Sequence, residues 1–142
     1  MSGELLLDNS AWARLGHPSL PQQRAETVAA WLEQGRLVVC LPFLLEAGYS
    51  ARSGADHAAL IGDLLALPRL VIDEQVEERA LDAQRQLARV GHHRMPPVDL
   101  ILAALADTHG LGILHYDSDY DLLAEKTDLS YQSLWLADRG TL

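Results

Sequence analysis

The chain has 142 residues, of which 49% are apolar and 22% charged, and it carries a net charge of −9. Such a length and composition suit one globular domain with a real core, and they exclude a disordered or membrane-spanning chain, since no stretch nears the roughly 18 consecutive apolar residues a span needs. The acidic balance argues against a protein that coats nucleic acid electrostatically, but leaves room for an enzyme acting on it, because a bound cation and local arginines can reverse the potential at one site.

The first predicted element is a short buried strand, Leu5-Leu6-Leu7. Glu4 stands where a secretory leader would be basic, so a cytoplasmic protein is expected. Asp8-Asn9-Ser10 supplies helix-capping chemistry ahead of Ala11-Trp12-Ala13. Pro21 to Gln34 has helical spacing, with Val28, Trp31 and Leu32 on one face and Gly35 as the stop. Leu37 to Leu41 is the clearest strand, and its Cys40, the single cysteine, reads as a small core hydrophobe. Pro42 suits the first turn of a helix reaching Arg52. A further helix spans Ala55 to Leu67, and Leu70-Val71-Ile72 is a third strand. Asp73 caps a long charged helix, Glu74 to Val90. After the basic turn Gly91 to Pro96 comes an apolar helix from Pro97 to His109 and a fourth strand, Gly112 to His115. A short helix at Asp121 to Glu125 and an edge strand at Tyr131 to Leu136 complete the pattern. Apolar strands alternating with helices predict an α/β fold in one domain, 1–142, with a parallel sheet covered on both faces.

Against that pattern, the carboxylates are out of place. Asp8 ends the first strand, Glu46 interrupts an apolar helix, Asp99 opens another, and Asp117 and Asp119 follow the fourth strand. In an open α/β sheet, ligands bind beyond the carboxyl ends of the strands where strand order reverses. Asp8, Asp117 and Asp119 belong at that edge, and Glu46 can point back toward it from one turn into its helix. Asp99 is different: only tertiary packing can bring it beside Asp8. Each acid also has an ordinary reading as a cap, a turn residue or a dipole partner. If the fold gathers them, a hard divalent cation is the natural neutraliser.

In order and over nearly the whole chain, these segments resemble the PIN domain, and specifically the VapC toxins of bacterial toxin–antitoxin pairs. The matching pieces are Leu5-Leu6-Leu7-Asp8-Asn9-Ser10, Glu46 in the helix after the second strand, Arg94 to Ala104 around Asp99, and Leu114 to Asp121 around Asp117 and Asp119. The resemblance implies a three-layer α/β/α sandwich and a metal-dependent ribonuclease. It also implies Asp8 and Asp99 as direct ligands of Mg²⁺ or Mn²⁺, Asp117 as a third ligand or a water-mediated contact, Glu46 as a water-orienting acid and Asp119 as an accessory. Homodimers, a VapB-like antitoxin partner and structured RNA such as tRNA are further implications. Ser10 matches a small polar position near the metal. His115 departs from the family's commoner hydroxyl residue, leaving open whether it holds the site or contacts substrate. Among basic side chains, Arg14, Arg52 and Arg94 are the phosphate candidates nearest the acidic edge, and His92-His93 could contribute.

Two other readings compete. A receiver-like signalling domain also gathers acids around Mg²⁺, but needs a placed lysine, and Lys126 is the single lysine. A PIN relative that only binds would have lost part of the acid set. No phosphate loop, dinucleotide fingerprint, zinc-protease motif or nucleophile elbow is present.

Overall fold

Leucine, valine and isoleucine runs too short for helices and buried on both faces are the natural material of a parallel sheet. In the computed structural model, which describes residues 3–142, five such strands pair: β1 (Leu5–Leu7), β2 (Leu37–Cys40), β3 (Arg69–Leu70), β4 (Gly112–His115) and β5 (Gln132–Trp135). Their order is β3-β2-β1-β4-β5, parallel throughout. Every residue of β1, β2 and β4 is buried. Helices cover the sheet in an α/β/α arrangement: α1 (Asn9–Trp12), α2 (Gln22–Glu33), α3 (Leu41–Tyr49), α4 (Gly54–Leu64), α5 (Glu74–Arg89), α6 (Pro97–His109) and α7 (Asp119–Lys126).

Local chemistry sets several boundaries. Ser53 and Asp73 accept the backbone N–H of Asp56 and Val76 and so start α4 and α5. Pro42 lies in the first turn of α3. Gly110, with φ +67°, ends α6 in the left-handed conformation that favours glycine. Gly112 pairs with Leu5 in the register of β1 and β4. A Cβ there would stand 2.7 Å from Leu5 Cδ2 and 3.2 Å from the Gln132 carbonyl oxygen, so the strands could not approach as they do.

The third strand is shorter and earlier than its sequence suggests. Arg69 and Leu70 pair with Val39 and Cys40, after which the chain leaves the sheet and Val71 is 68% exposed. Being at the edge, β3 has one neighbour only, and apolar side chains past the last pair gain nothing from a strand. On α2 the face is narrower than expected: Val28 is buried, Trp31 is half-buried under the Arg36 guanidinium, and Leu32 is exposed.

The topology positions the site. From β1 the chain moves to β2 and β3 on one side, then crosses back through α5 and α6 to β4 and β5 on the other. Strand order therefore reverses between β1 and β4, the point at which open α/β sheets hold ligands in a crevice beyond the strands' carboxyl ends. Asp8 follows β1 and Asp117 follows β4, so both rim that crevice.

Candidate metal centre

Asp8 serves the fold and the site at once. Its Oδ2 accepts from the Ser10 amide at 3.0 Å and from the Ser10 hydroxyl, starting α1. The Ser10 hydroxyl also accepts from the Tyr116 amide at 2.8 Å, which ties the end of β1 to the end of β4. Asp8 Oδ1 faces inward and accepts from the Tyr120 phenol at 2.7 Å. The same phenol lies 3.3 Å from Asp99 Oδ1, so the packing of α6 and α7 brings Asp99 beside Asp8. A phenol carries one proton. The shorter contact claims most of it, and Asp99 is left the less satisfied of the two acids.

Asp99, Asp117 and Asp119 each offer a carboxylate oxygen within 4.8 Å of the others. Asp117 Oδ1 is steadied by the Asp119 amide at 2.9 Å. Like charges at such distances repel by roughly 3 kcal/mol per pair at an effective dielectric of about 20. Asp99 answers by holding its proton: burial first, then the charges of Asp117, Asp8 and Asp119, push its pKa up to about 8. Asp99 Oδ2 is buried and has no hydrogen-bond partner among the described residues. An orphaned buried oxygen among oxygen-only donors, in a group that resists ionising, fits a hard divalent cation. Burial, then Asp8 and Asp99, also raise the Tyr120 pKa well above its ordinary value, so that phenol stays protonated as a donor.

Glu46 stands to one side on α3. Its carboxyl is raised by partial desolvation and then by the charge of Asp8, which places it within electrostatic reach of that acid. It lines an open apolar groove of about 460 Å³ with Leu41, Leu45, Tyr49 and Val98, the last adjoining Asp99.

The basic candidates separate. Arg94 and His92 line an open cavity of about 330 Å³ together with Asp119, so they flank the acids directly. Arg14 spends its guanidinium on the Tyr116 ring, 4.8 Å from the centroid, and on the Ser10 carbonyl at 2.9 Å, bracing the β1 end from outside. Arg52 lies in the turn between α3 and α4, where its amide donates to Asp56. His115, named above as a residue that could contact substrate, is fully buried, and both ring nitrogens are engaged within the protein. It sits on a central strand covered on both faces and cannot reach a ligand in the crevice. Trp12 packs edge-on to Phe43, while Trp135 donates its indole N–H to Asp121. Cys40 is buried, and burial lifts its thiol to about 11, as suits a core hydrophobe.

Tyr120 and Asp121 both lie in the Leu114 to Asp121 segment that carries the resemblance, but the sequence reading gave neither a role. Nothing in its neighbours announced where the Tyr120 hydroxyl would point. The signal was available only as a polar tip on a core residue directly after two acids.

Comparison with known proteins agrees with this fold. The PIN domain family model matches residues 5–126. Ribonuclease VapC18 of Mycobacterium tuberculosis is 36% identical over 139 residues, covering 96% of this chain and 97% of its own. Ribonuclease VapC51 of the same organism is 34% identical over 142 residues, covering 100% of this chain and 99% of its own. Among solved structures, the DNA-bound VapBC of Salmonella typhimurium shares the fold with a TM-score of 0.72 at 22% identity, covering 94% of this chain and 98% of that one. The fold and the acidic centre define a PIN domain. The chain belongs to the PIN-domain family, and within it to the VapC ribonucleases.

Proposed function

We propose that the chain is a metal-dependent endoribonuclease and the toxin of a toxin–antitoxin pair, cutting structured RNA of the tRNA kind with Mg²⁺ or Mn²⁺. The observation that carries this reading is the convergence of Asp8, Asp99, Asp117 and Asp119 at the β1/β4 edge around Asp99, whose buried Oδ2 has no hydrogen-bond partner among the described residues. Asp8, Asp99 and Asp117 would hold the ion, with the Tyr120 phenol joining Asp8 to Asp99 and Asp119 as an accessory. When bound, a divalent ion supplies charge neutralisation at the phosphodiester and a lowered pKa for water.

The remaining work falls to this chain's own side chains. Glu46, its carboxyl pKa raised by partial desolvation and then by the charge of Asp8, is the candidate to orient attacking water and take its proton. Arg94 and His92, across the cavity from Asp119, would hold RNA phosphates against a net acidic protein. An antitoxin of the VapB kind is the expected partner, as in the VapBC assemblies whose fold this chain shares. Charge complementarity requires that it present arginine or lysine to the carboxylates.

The receiver-like alternative fares worse on two counts. Receiver domains follow the strand order 2-1-3-4-5, whereas this sheet runs β3-β2-β1-β4-β5. Lys126 closes α7 beside Glu125, about 10 Å of helix from Asp119 at its start. A binding-only PIN domain is disfavoured by the complete acid set. Cleavage of total tRNA with Mn²⁺ or Mg²⁺ tests the proposal, comparing wild type with Asp8→Asn and Asp99→Ala. Metal-dependent cleavage lost in both variants is expected, and equal activity in all three proteins would sink it.

A further inference from the structure

His115 is a buried histidine whose hydrogen bonds run in one forced direction. The Asp117 backbone N–H can only donate, and it points at His115 Nδ1 at 3.1 Å. Nδ1 is therefore bare, and a neutral ring must carry its proton on Nε2. Nε2 lies 2.7 Å from the Ser133 hydroxyl, which accepts there. The serine proton is then free to go outward, and Asp121 Oδ1 receives it at 2.6 Å. Asp121 is itself pinned, because its other oxygen accepts from the Trp135 indole at 2.9 Å. Tyr120 and Trp135 pack against the imidazole, with ring centroids 4.8 and 5.1 Å away.

We infer that Asp121, Ser133 and His115 form a directed hydrogen-bond relay that fixes the Asp117 peptide, and through it the Asp117 carboxylate, at the metal centre. These three are positioning residues, and none belongs to the triad of Asp99, Asp117 and Asp119. The relay begins on α7, passes through the edge strand β5 and ends at the turn after β4. It gives β5 a task in the site that its position at the sheet edge does not suggest. The Asp117 turn then has two fixed points, its own amide on His115 and its Oδ1 under the Asp119 amide. Carboxylates held by such outer partners bind metal about 10- to 100-fold more tightly than unsupported ones.

The inference rests on the metal reading for its consequence, but not for its hydrogen bonds, and the test separates the two. Nitrogen NMR of the His115 ring in the metal-free protein should show a protonated Nε2 and a bare Nδ1. The Ser133→Ala variant should speed hydrogen exchange at the Asp117 amide and weaken Mn²⁺ binding, read by electron paramagnetic resonance, by about tenfold. Ser133→Thr, which keeps the hydroxyl, should restore both. A ring protonated at Nδ1, or an Asp117 amide unmoved by Ser133→Ala, overturns the relay, and the ring measurement on wild type decides even if the variant fails to fold. Exchange that changes while Mn²⁺ binding stays at the wild-type level overturns the link to Asp117 as a ligand. Wild-type protein that binds no Mn²⁺ contradicts the metal reading, with the relay then judged on ring and amide alone.

Discussion

Arg79 on α5 and Tyr120 on α7 each stand at the centre of a group of aspartates, and the two groups settle their charge in opposite ways. Arg79 donates to Asp107 at 3.0 Å and Asp128 at 3.2 Å, and Gln86 adds a bond to Asp128 at 2.9 Å. The Gln86 bond first and Arg79 second lower the Asp128 pKa. Asp107 also accepts the Ser130 amide at 2.8 Å, so this group clamps α5, α6 and the approach to β5. Around Tyr120 a neutral phenol takes the central place. Among the described residues, no arginine or lysine forms an ion pair with Asp8, Asp99, Asp117 or Asp119. A fold able to neutralise its acids in one place leaves them unneutralised in another, at the crevice where strand order reverses. Acids balanced by a guanidinium hold structure together, whereas acids gathered without one store a demand for a cation.

The largest expected effect breaks the unbalanced group. Asp99→Ala should lower metal-dependent RNA cleavage by at least about 100-fold, measured on total tRNA, since a misplaced ion forfeits several kcal/mol at the transition state. The metal-free protein sharpens the contrast through pH. The Asp99 pKa, 3.8 unperturbed, rises to about 8 in the fold, so the native state favours the protonated form. Its contribution to stability is full below pH 4 and disappears as pH rises through 8. Thermal unfolding without metal should therefore shift to lower temperature between about pH 5 and pH 8. Asp99→Asn should flatten that slope and raise the midpoint by a few degrees at pH 8, and Mn²⁺ should stabilise wild type but not the variant. An unchanged slope in Asp99→Asn would remove Asp99 as the source.

The balanced group should answer in the reverse sense. Arg79→Ala leaves Asp107 without its guanidinium and should cost about 1–2 kcal/mol by denaturant unfolding, given the partial exposure of the cluster. Mn²⁺ affinity should stay as in wild type. Smallest of all, Arg94→Ala should raise KM for RNA several-fold and reduce its salt dependence, leaving kcat nearly constant. A fall in kcat instead would give Arg94 a part in the chemistry.

The sequence carried the architecture well where burial is complete and poorly where it is partial. The boundaries of α6 and β4 coincide with their apolar runs because both are buried along most of their length. The β3 strand and Leu32 went astray because an edge strand and a surface helix keep apolar side chains without covering them. At the site, Asp8 and Asp117 were placed by the general rule for α/β sheets. Asp99 needed the packing of α6 against the crevice, which no spacing encodes. Asp119 lies within the triad of mutually close carboxylates, and the local cap is Asp117, whose Oδ1 accepts the Asp119 amide. Asp8 caps α1 with one oxygen and turns the other toward Tyr120 and Asp99, so the cap reading does not exclude the proposed one. Tyr120 and the path from Asp121 to His115 were invisible because a hydroxyl on a core residue and a histidine in a strand announce no partner until the strands are paired.

Anomalous diffraction from crystals soaked in Mn²⁺ tests the central claim most directly. The account requires a manganese peak in the β1/β4 crevice within bonding distance of Asp99 and Asp117. A saturated soak that leaves those carboxylates without an ion, or seats manganese only elsewhere on the surface, would contradict it.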